Sequence, residues 1–69
     1  MVEVFKTNVE KETDTNYIIA VIKREFPTYQ INFDLEDCDK ILRVEGANLQ
    51  SNQIIEYVNC LGYSCNILE

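Results

Sequence analysis

The sequence has 69 residues, of which 46% are hydrophobic and 26% are charged. A chain of this length forms one domain, residues 1–69, and folding removes only roughly 60% of its unfolded surface from water, so one small core must stabilise it. The ordinary composition excludes a disordered or disulfide-dense chain, and the net charge of −6 opposes binding to DNA or RNA, whose phosphates select clustered basic residues.

The first predicted element is a short strand over residues 2–5, in which apolar and polar residues alternate. Val2 and Val4 share one side of this strand, and we expect that side to face the core. Glu3 and Phe5 would then lie on the opposite side of the sheet. The polar stretch 6–13 is predicted to form a loop.

The second predicted element is a helix over residues 14–26. Either Thr13 or Asp14 is suited to accept a backbone N–H at its start, and Pro27 forbids its continuation. Four apolar residues fall on one arc of the helical wheel, and we expect this arc to face the core. They are Ile18, Ile19, Ile22 and Phe26.

Two strands joined by a turn follow the first helix. Residues 29–35 alternate apolar and polar side chains, which is the clearest strand pattern in the chain. Residues 36–40 are polar and predict a turn. Residues 41–45 predict a third strand with Leu42 and Val44 toward the core.

A second helix and a short strand complete the chain. The helix is predicted to begin at Gln50 or Ser51, and its core stripe is Ile54, Val58 and Leu61, with Ile55 beside it. Gly62 occupies the position at which a left-handed residue commonly ends a helix. Cys65 and Ile67 then alternate with polar Asn66 in the final strand.

The order strand, helix, strand, strand, helix, strand predicts an α+β domain. Two interlocked βαβ crossovers give a ferredoxin-like βαββαβ sandwich, with a four-stranded antiparallel sheet and both helices on one face. The predicted core combines the helical stripes with eight inward-facing residues. These are Val2, Val4, Tyr29, Ile31, Phe33, Leu42, Val44 and Ile67.

Residues 39–46, 54–56 and 61–63 carry a resemblance to a known family. Their segments Asp-Lys-Ile-Leu-Arg-Val-Glu-Gly, Ile-Ile-Glu and Leu-Gly-Tyr resemble the second half of heavy-metal-associated domains. Those domains are small copper-chaperone-like modules of metal transport, and they share the βαββαβ fold. The resemblance implies that the whole chain is one degenerate domain of this kind.

The metal-binding loop of that family, Met-x-Cys-x-x-Cys, is absent from this sequence. Aligning the loop with the chain places Val9 at the methionine, and Lys11 and Asp14 at the two cysteines. In the family two thiolates hold a soft ion such as Cu(I), whereas a charged lysine cannot ligate and one carboxylate is not a soft-metal site. We therefore expect no metal at this loop, and no cofactor.

The three cysteines leave a non-standard metal or small-ligand site open as the alternative function. We expect Cys65 to point into the core, Cys60 to be at least partly exposed, and Cys38 to lie in the turn, so that nothing makes them converge. An odd number without regular spacing fits reduced thiols in a cytoplasmic protein. The acidic run 34–39 resembles a calcium loop, but Asp39 occupies the glycine position, so a solvated hairpin tip is the better interpretation.

The sequence favours a domain that binds another protein or itself over an enzyme. It has no histidine and only two isolated glycines, which cannot form a phosphate-binding loop. On the sheet face away from the helices, the candidate contact residues are Phe5, Ile41, Arg43 and Leu68. A second set lies at the end of the domain that carries the loop between the first strand and the first helix, here called the loop end. Its candidates are Val9, Lys11 and Tyr63, of which Tyr63 follows from the family resemblance.

No apolar run approaches the ~20 residues needed to cross a bilayer. The first residues have neither the basic start nor the apolar stretch of a signal peptide. We therefore expect a cytoplasmic protein with no membrane partner.

Overall fold

Four strands and two helices alternate along the chain, and a computed structural model describes all of residues 1–69. Their bounds are β1 (Val2–Thr7), α1 (Glu12–Glu25), β2 (Gln30–Asp34), β3 (Ile41–Glu45), α2 (Ser51–Cys60) and β4 (Cys65–Ile67). The strands form one antiparallel sheet in the order β2-β3-β1-β4, and both helices pack on one side of it. The predicted ferredoxin-like βαββαβ sandwich is confirmed.

Helix α1 begins at Glu12, two residues before the predicted start. Its N-cap residue is Lys11, which makes no side-chain capping bond, so neither Thr13 nor Asp14 caps the helix as predicted. The acidic residues of the first turn and the basic residues of the last turn complement the helix dipole. At the other end the Phe26 N–H donates to the Ile22 carbonyl at 2.8 Å, and Pro27 prevents a further turn.

Helix α2 ends in the left-handed termination that Gly62 predicted, with φ of +99° at the glycine. The Gly62 N–H donates to the Asn59 carbonyl at 3.0 Å, and the Tyr63 N–H donates to the Val58 carbonyl at 3.3 Å. These two bonds form a Schellman motif, which satisfies carbonyls that the helix itself leaves unpaired. The motif turns the chain directly into β4.

The core lies between the sheet and the two helices. Ten apolar residues are buried in one cluster, and the helices contribute Ile18, Ile22, Ile54 and Val58 to it. The remaining members are Phe5, Val9, Tyr29, Leu42, Val44 and Cys65. Leu42 and Val44 are therefore on the predicted side of β3, and Cys65 is the small buried apolar residue that the sequence predicted.

The predicted orientation of β1 is wrong. Phe5 lies directly opposite Leu42 in the sheet, and directly opposite residues point to the same side, so Phe5 faces the helices and is fully buried. Val2 is 44% exposed and lies with Val4 on the other side. The predicted strand ended at Phe5, whereas β1 continues to Thr7 and places charged Lys6 on the side of the valines.

Two further features complete the packing. Ile67 pairs with Phe5 and so lies on the helix side, but it is 42% exposed because β4 is a three-residue edge strand, which corrects its predicted place in the core. Tyr29 is buried, and its ring stacks on Phe26 at a centroid separation of 4.7 Å.

Neither helix has the length and hydropathy that crossing a membrane would require.

Candidate functional site

The sheet surface turned away from the helices, here called the open face, carries the largest set of predicted contact residues. The strand register assigns eleven side chains to it by pairing and alternation. They are Val2, Val4, Lys6, Gln30, Asn32, Asp34, Ile41, Arg43, Glu45, Asn66 and Leu68. Since both helices lie on the other side, no element of the chain covers this surface.

Four apolar residues form a patch on the open face, centred on Val4. The Leu68 N–H donates to the Val4 carbonyl at 2.9 Å, so Leu68 adjoins Val4 on the β4 side. Ile41 is diagonal to Val4 across the β1–β3 pair, because Val4 is opposite Arg43 and Lys6 is opposite Ile41. Val2 continues the patch along β1 and is 44% exposed, and Leu68 is 38% exposed. We call Val2, Val4, Ile41 and Leu68 the apolar patch.

The charges around the apolar patch follow the sheet order. The two cations Lys6 and Arg43 lie on the central strands β1 and β3, directly opposite Ile41 and Val4 respectively. Both cationic side chains are exposed. The carboxylates Asp34 and Glu45 lie at the ends of β2 and β3. The centre of the open face is therefore apolar and cationic in a chain whose net charge is −6.

Three of the four residues predicted for this face are there, namely Ile41, Arg43 and Leu68. Phe5 does not lie on the open face, because it is fully buried against the helices. Val4 lies on the open face instead of Phe5. Lys6 is the sequence signal that shows which side of β1 faces solvent, because its charged side chain lies on the same side as Val4. The predicted strand ended at Phe5 and so did not include Lys6.

At the loop end, Val9 is fully buried, so its predicted role as a contact residue is wrong. Its N–H donates to the buried Thr7 hydroxyl at 3.2 Å, and that hydroxyl donates to the Lys40 carbonyl at 2.6 Å. The loop is thus drawn onto the hairpin between β2 and β3. Lys11 is exposed at the N-cap of α1, and its side chain makes no capping bond there.

Tyr63, the other loop-end candidate, is half-buried beside Asp14. Desolvation, then the charge of Asp14 and a hydrogen bond with it, raise the pKa of Tyr63 above its usual value. The neighbouring Ser64 N–H donates to Asn8 Oδ1 at 2.9 Å, which ties the segment after α2 to the segment after β1. Tyr63 and Asp14 are therefore neighbours at the loop end, and Lys11 is exposed three residues before Asp14.

The cysteines do not form a common site. Cys65 is buried, and this burial raises the pKa of its thiol to about 12, so the thiol holds its proton at neutral pH. Cys60 is exposed on the last turn of α2, and Cys38 is exposed in the hairpin turn. Metal binding needs thiolates, and burial opposes the ionisation of the Cys65 thiol.

Cys38 lies between two carboxylates, and the ligand atoms of Asp37, Cys38 and Asp39 are within 4.8 Å of one another. The turn explains this closeness without an ion. Asp37 Oδ1 accepts the Asp39 N–H at 2.8 Å, and Asp34 Oδ1 accepts the Glu36 N–H at 3.1 Å, so the carboxylates of Asp37 and Asp34 stabilise the turn backbone and hold Asp37 beside Asp39. A thiol with two hard carboxylates also matches no single metal well.

A groove of about 310 Å³ lies between α1 and the outer strand β2. We call it the edge groove. Its lining is half apolar, from Ile19, Ile31, Phe33 and Leu35, and its one charged residue is Glu12. A second depression of about 290 Å³ on α2 is lined by Gln53, Glu56, Tyr57 and Cys60. The second depression contains one thiol and one carboxylate, Cys60 and Glu56, and neither lining contains a histidine. The sequence pattern gives no signal for the edge groove.

Comparisons with protein-family models, with curated proteins and with solved structures gave no match. The fold is therefore assigned from the element order and the strand pairing alone. The similarity to heavy-metal-associated domains stays a prediction that rests on the residues named for it.

Proposed function

We propose that this chain is a non-catalytic domain that binds another protein through the open face of its sheet. The observation that supports this is the uncovered apolar patch centred on Val4, with Lys6 and Arg43 beside it. An apolar cluster rimmed by charge is a common feature of contact surfaces. The loop end around Lys11 and Tyr63 is a second, smaller candidate surface.

The charge pattern indicates what the partner surface contains. Two of the six basic residues of the chain lie at the centre of the open face, next to Val4 and Ile41. A partner with a small apolar projection flanked by Asp or Glu would complement both features, and the charges would steer its approach. Reduced thiols and the lack of a membrane-spanning helix fit a cytoplasmic partner.

RNA is a weaker candidate for the same surface. Domains of this fold that bind RNA stack bases on aromatic residues of the central strands. The only aromatic residue on β1 is Phe5, which is buried, and β3 has none. The net charge of −6 also opposes a polyanion.

Metal or small-ligand binding through Cys60 or Cys65 has less support than protein binding. Cys65 is buried with its pKa raised to about 12, and Cys60 has no other thiol or imidazole on its own turn of α2. In the alignment with heavy-metal-associated domains, Lys11 and Asp14 stand at the positions of the two thiolates. A native mass spectrum of the reduced protein with added Cu(I) or Zn(II) should give the bare mass, and a stoichiometric adduct lost in Cys60→Ser would favour the metal function instead.

The open face is tested by comparing captured partners between matched variants. Arg43→Glu with Leu68→Asp reverses one charge and adds another in the apolar patch, and both positions are exposed, so the fold should persist. The control is Arg24→Glu with Tyr17→Asp, which makes the same kinds of change on α1, where Tyr17 is 60% exposed. Circular dichroism checks that both variants are folded.

A specific partner should be retained by the wild type and the α1 control and lost by the open-face variant. Cross-linking followed by mass spectrometry should place its contacts at Lys6, which lies within the surface. A partner retained equally by all three proteins would contradict the open face as the binding surface.

A further inference from the structure

The outer strand β2 leaves one edge of the sheet unpaired, and apart from the charge of Asp34 at its end it lacks the features that usually protect such an edge. It is the terminal strand in the sheet order, so one row of its backbone groups has no strand neighbour. Lysine, proline and extreme shortness are the common protections. The five residues Gln30–Asp34 include no basic residue and no proline, whereas the opposite edge, β4, has only three residues.

The packing beneath β2 is also incomplete. Its two apolar side chains, Ile31 and Phe33, face the helices but remain half-buried, while their neighbours on β3, Val44 and Leu42, are fully buried. The space beside them is the edge groove, which opens between α1 and the free edge. A strand added at this edge would extend the sheet and cover Ile31 and Phe33.

We propose that the strand added there is β2 of a second copy of this chain, paired antiparallel about a two-fold axis at Asn32. A two-fold contact requires a surface that is complementary to itself. In this register Asn32 meets Asn32 of the second copy, Ile31 meets its Phe33, and Gln30 meets its Asp34. All five strand residues are paired, apolar side chains meet only apolar ones, and no carboxylate faces another.

Helix α1 carries charges that fit the same arrangement. Glu12, Asn16 and Ile19 line the edge groove, and Lys23 follows at the spacing that continues their stripe along the helix. Lys23 Nζ donates to the Tyr29 carbonyl at 2.9 Å, so Lys23 lies at the start of β2, whereas Glu12 lines the groove about three helical turns earlier on α1. The stripe is thus acidic at one end and basic at the other.

Antiparallel pairing of the two β2 strands brings the acidic end of one α1 stripe beside the basic end of the other. The two-fold axis keeps both α1 helices on the same side of the joined sheet and runs them in opposite directions. Glu12 of each copy then approaches Lys23 of the other, and the helix dipoles oppose each other. This charge complementarity selects a second copy over an unrelated strand, and it offsets locally the repulsion between two chains that each carry a net charge of −6.

This inference goes beyond the proposed function, because the β2 edge and the apolar patch are separate surfaces. A dimer joined at β2 leaves Val4, Ile41 and Leu68 free on each copy and places two open faces side by side. One extended sheet surface would then bind one larger partner or two partners.

The test measures the dimer dissociation constant of the full chain by sedimentation over a concentration series. Asn32→Asp places like charges together at the two-fold axis, while within one copy the new carboxylate lies opposite Arg43, so the monomer fold is not disfavoured. We expect dimerisation to weaken by up to about fivefold. Leu68→Asp lies in the apolar patch on the far side of β1 from β2, and this open-face variant should leave the dimer intact.

A charge exchange tests the α1 contact directly. Glu12→Lys and Lys23→Glu should each weaken self-association, because each places like charges across the axis. Mixing the two variants should restore pairing as a heterodimer, which native mass spectrometry detects by its distinct mass. A wild-type chain that stays monomeric up to about 1 mM, or a dimer unaffected by Asn32→Asp, overturns the proposal. A dimer lost only in the open-face variant also overturns it and assigns self-association to the open face.

Discussion

The ring of Tyr29 lies against the backbone of Gly46 so closely that a Cβ added at residue 46 would be 2.6 Å from ring atom Cδ1. The ring has little room to retreat, because it stacks on Phe26 at 4.7 Å. Its hydroxyl accepts the Gln50 N–H at 3.0 Å and donates to the Asn48 carbonyl at 3.2 Å. Tyr29 therefore fixes the segment between β3 and α2, and Gly46 is the residue that lets it approach.

Gly46→Ala should lower the free energy of unfolding by about 1–3 kcal/mol, as overpacking of a filled core does. Urea denaturation measures it. In a Tyr29→Leu background the ring is gone, so Gly46→Ala should cost less there. The control is Gly62→Ala, whose added Cβ has no atom within 4 Å and whose cost comes from its φ of +99°. That cost should be the same in both backgrounds, and an equal cost of Gly46→Ala in both would contradict the contact.

Phe5→Ala should lower the free energy of unfolding by about 3–5 kcal/mol, because it removes a fully buried aromatic ring from the core. Val2→Ala is the control on the same strand, and since Val2 is 44% exposed its effect should stay within about 0.5 kcal/mol. Chemical denaturation of both variants checks the orientation of β1. The opposite ranking would mean that the valines, not Phe5, face the helices.

The contrast between β1 and the other strands explains how much of this fold could be predicted from sequence. Residues 29–35 alternate cleanly, and Pro27 and Gly62 end the helices for backbone reasons that no packing overrides. In β1 both sides carry apolar residues, so local alternation does not decide which side is buried. The decision depends on Lys6 and Thr7, beyond the predicted end of the strand.

The prediction of the candidate site succeeded and failed at the same strands as the prediction of the fold. Ile41 and Arg43 were placed correctly because Arg43 and Glu45 mark the solvent side of β3, and Leu68 was placed correctly because it alternates with Cys65 and Ile67. Phe5 was misplaced with the rest of β1. Val9 was misplaced because the Thr7 hydroxyl, which accepts the Val9 N–H, is itself held by the Lys40 carbonyl. This contact is distant in sequence, and no local pattern predicts it. The edge groove depends on which strand is outermost, and it becomes visible only once the strand order is known.

Thr7→Val should destabilise the fold by about 1–3 kcal/mol although it keeps the size of the side chain, because two backbone groups lose their partner. The Thr7 hydroxyl donates to the Lys40 carbonyl at 2.6 Å and accepts the Val9 N–H at 3.2 Å. Thr13→Val on the exposed surface of α1 is the matched control and should change stability by less than about 0.5 kcal/mol. Hydrogen exchange of the Val9 amide should accelerate only in Thr7→Val, and unchanged exchange would contradict the bond.

The Cys65 thiol should make the stability of the fold fall at alkaline pH. Burial raises its pKa from 9.0 to about 12, so the folded chain keeps a proton that the unfolded chain releases above pH 9. When the unfolded state binds fewer protons than the folded state, the free energy of unfolding decreases as pH rises. The contribution of the buried, protonated Cys65 thiol to the free energy of unfolding is thus fully present below pH 9, and it is lost progressively between the two pKa values.

Cys65→Ala isolates this contribution, because other groups that titrate in the same range are unchanged in the variant. The difference in midpoint denaturant concentration between wild type and variant should be constant below pH 9 and should shrink above it. A thiol reagent provides a second measurement at neutral pH. Cys38 and Cys60 are exposed and should react at once, while Cys65 should react only as the chain unfolds. Three thiols reacting at one fast rate in the folded protein would show that Cys65 is not buried.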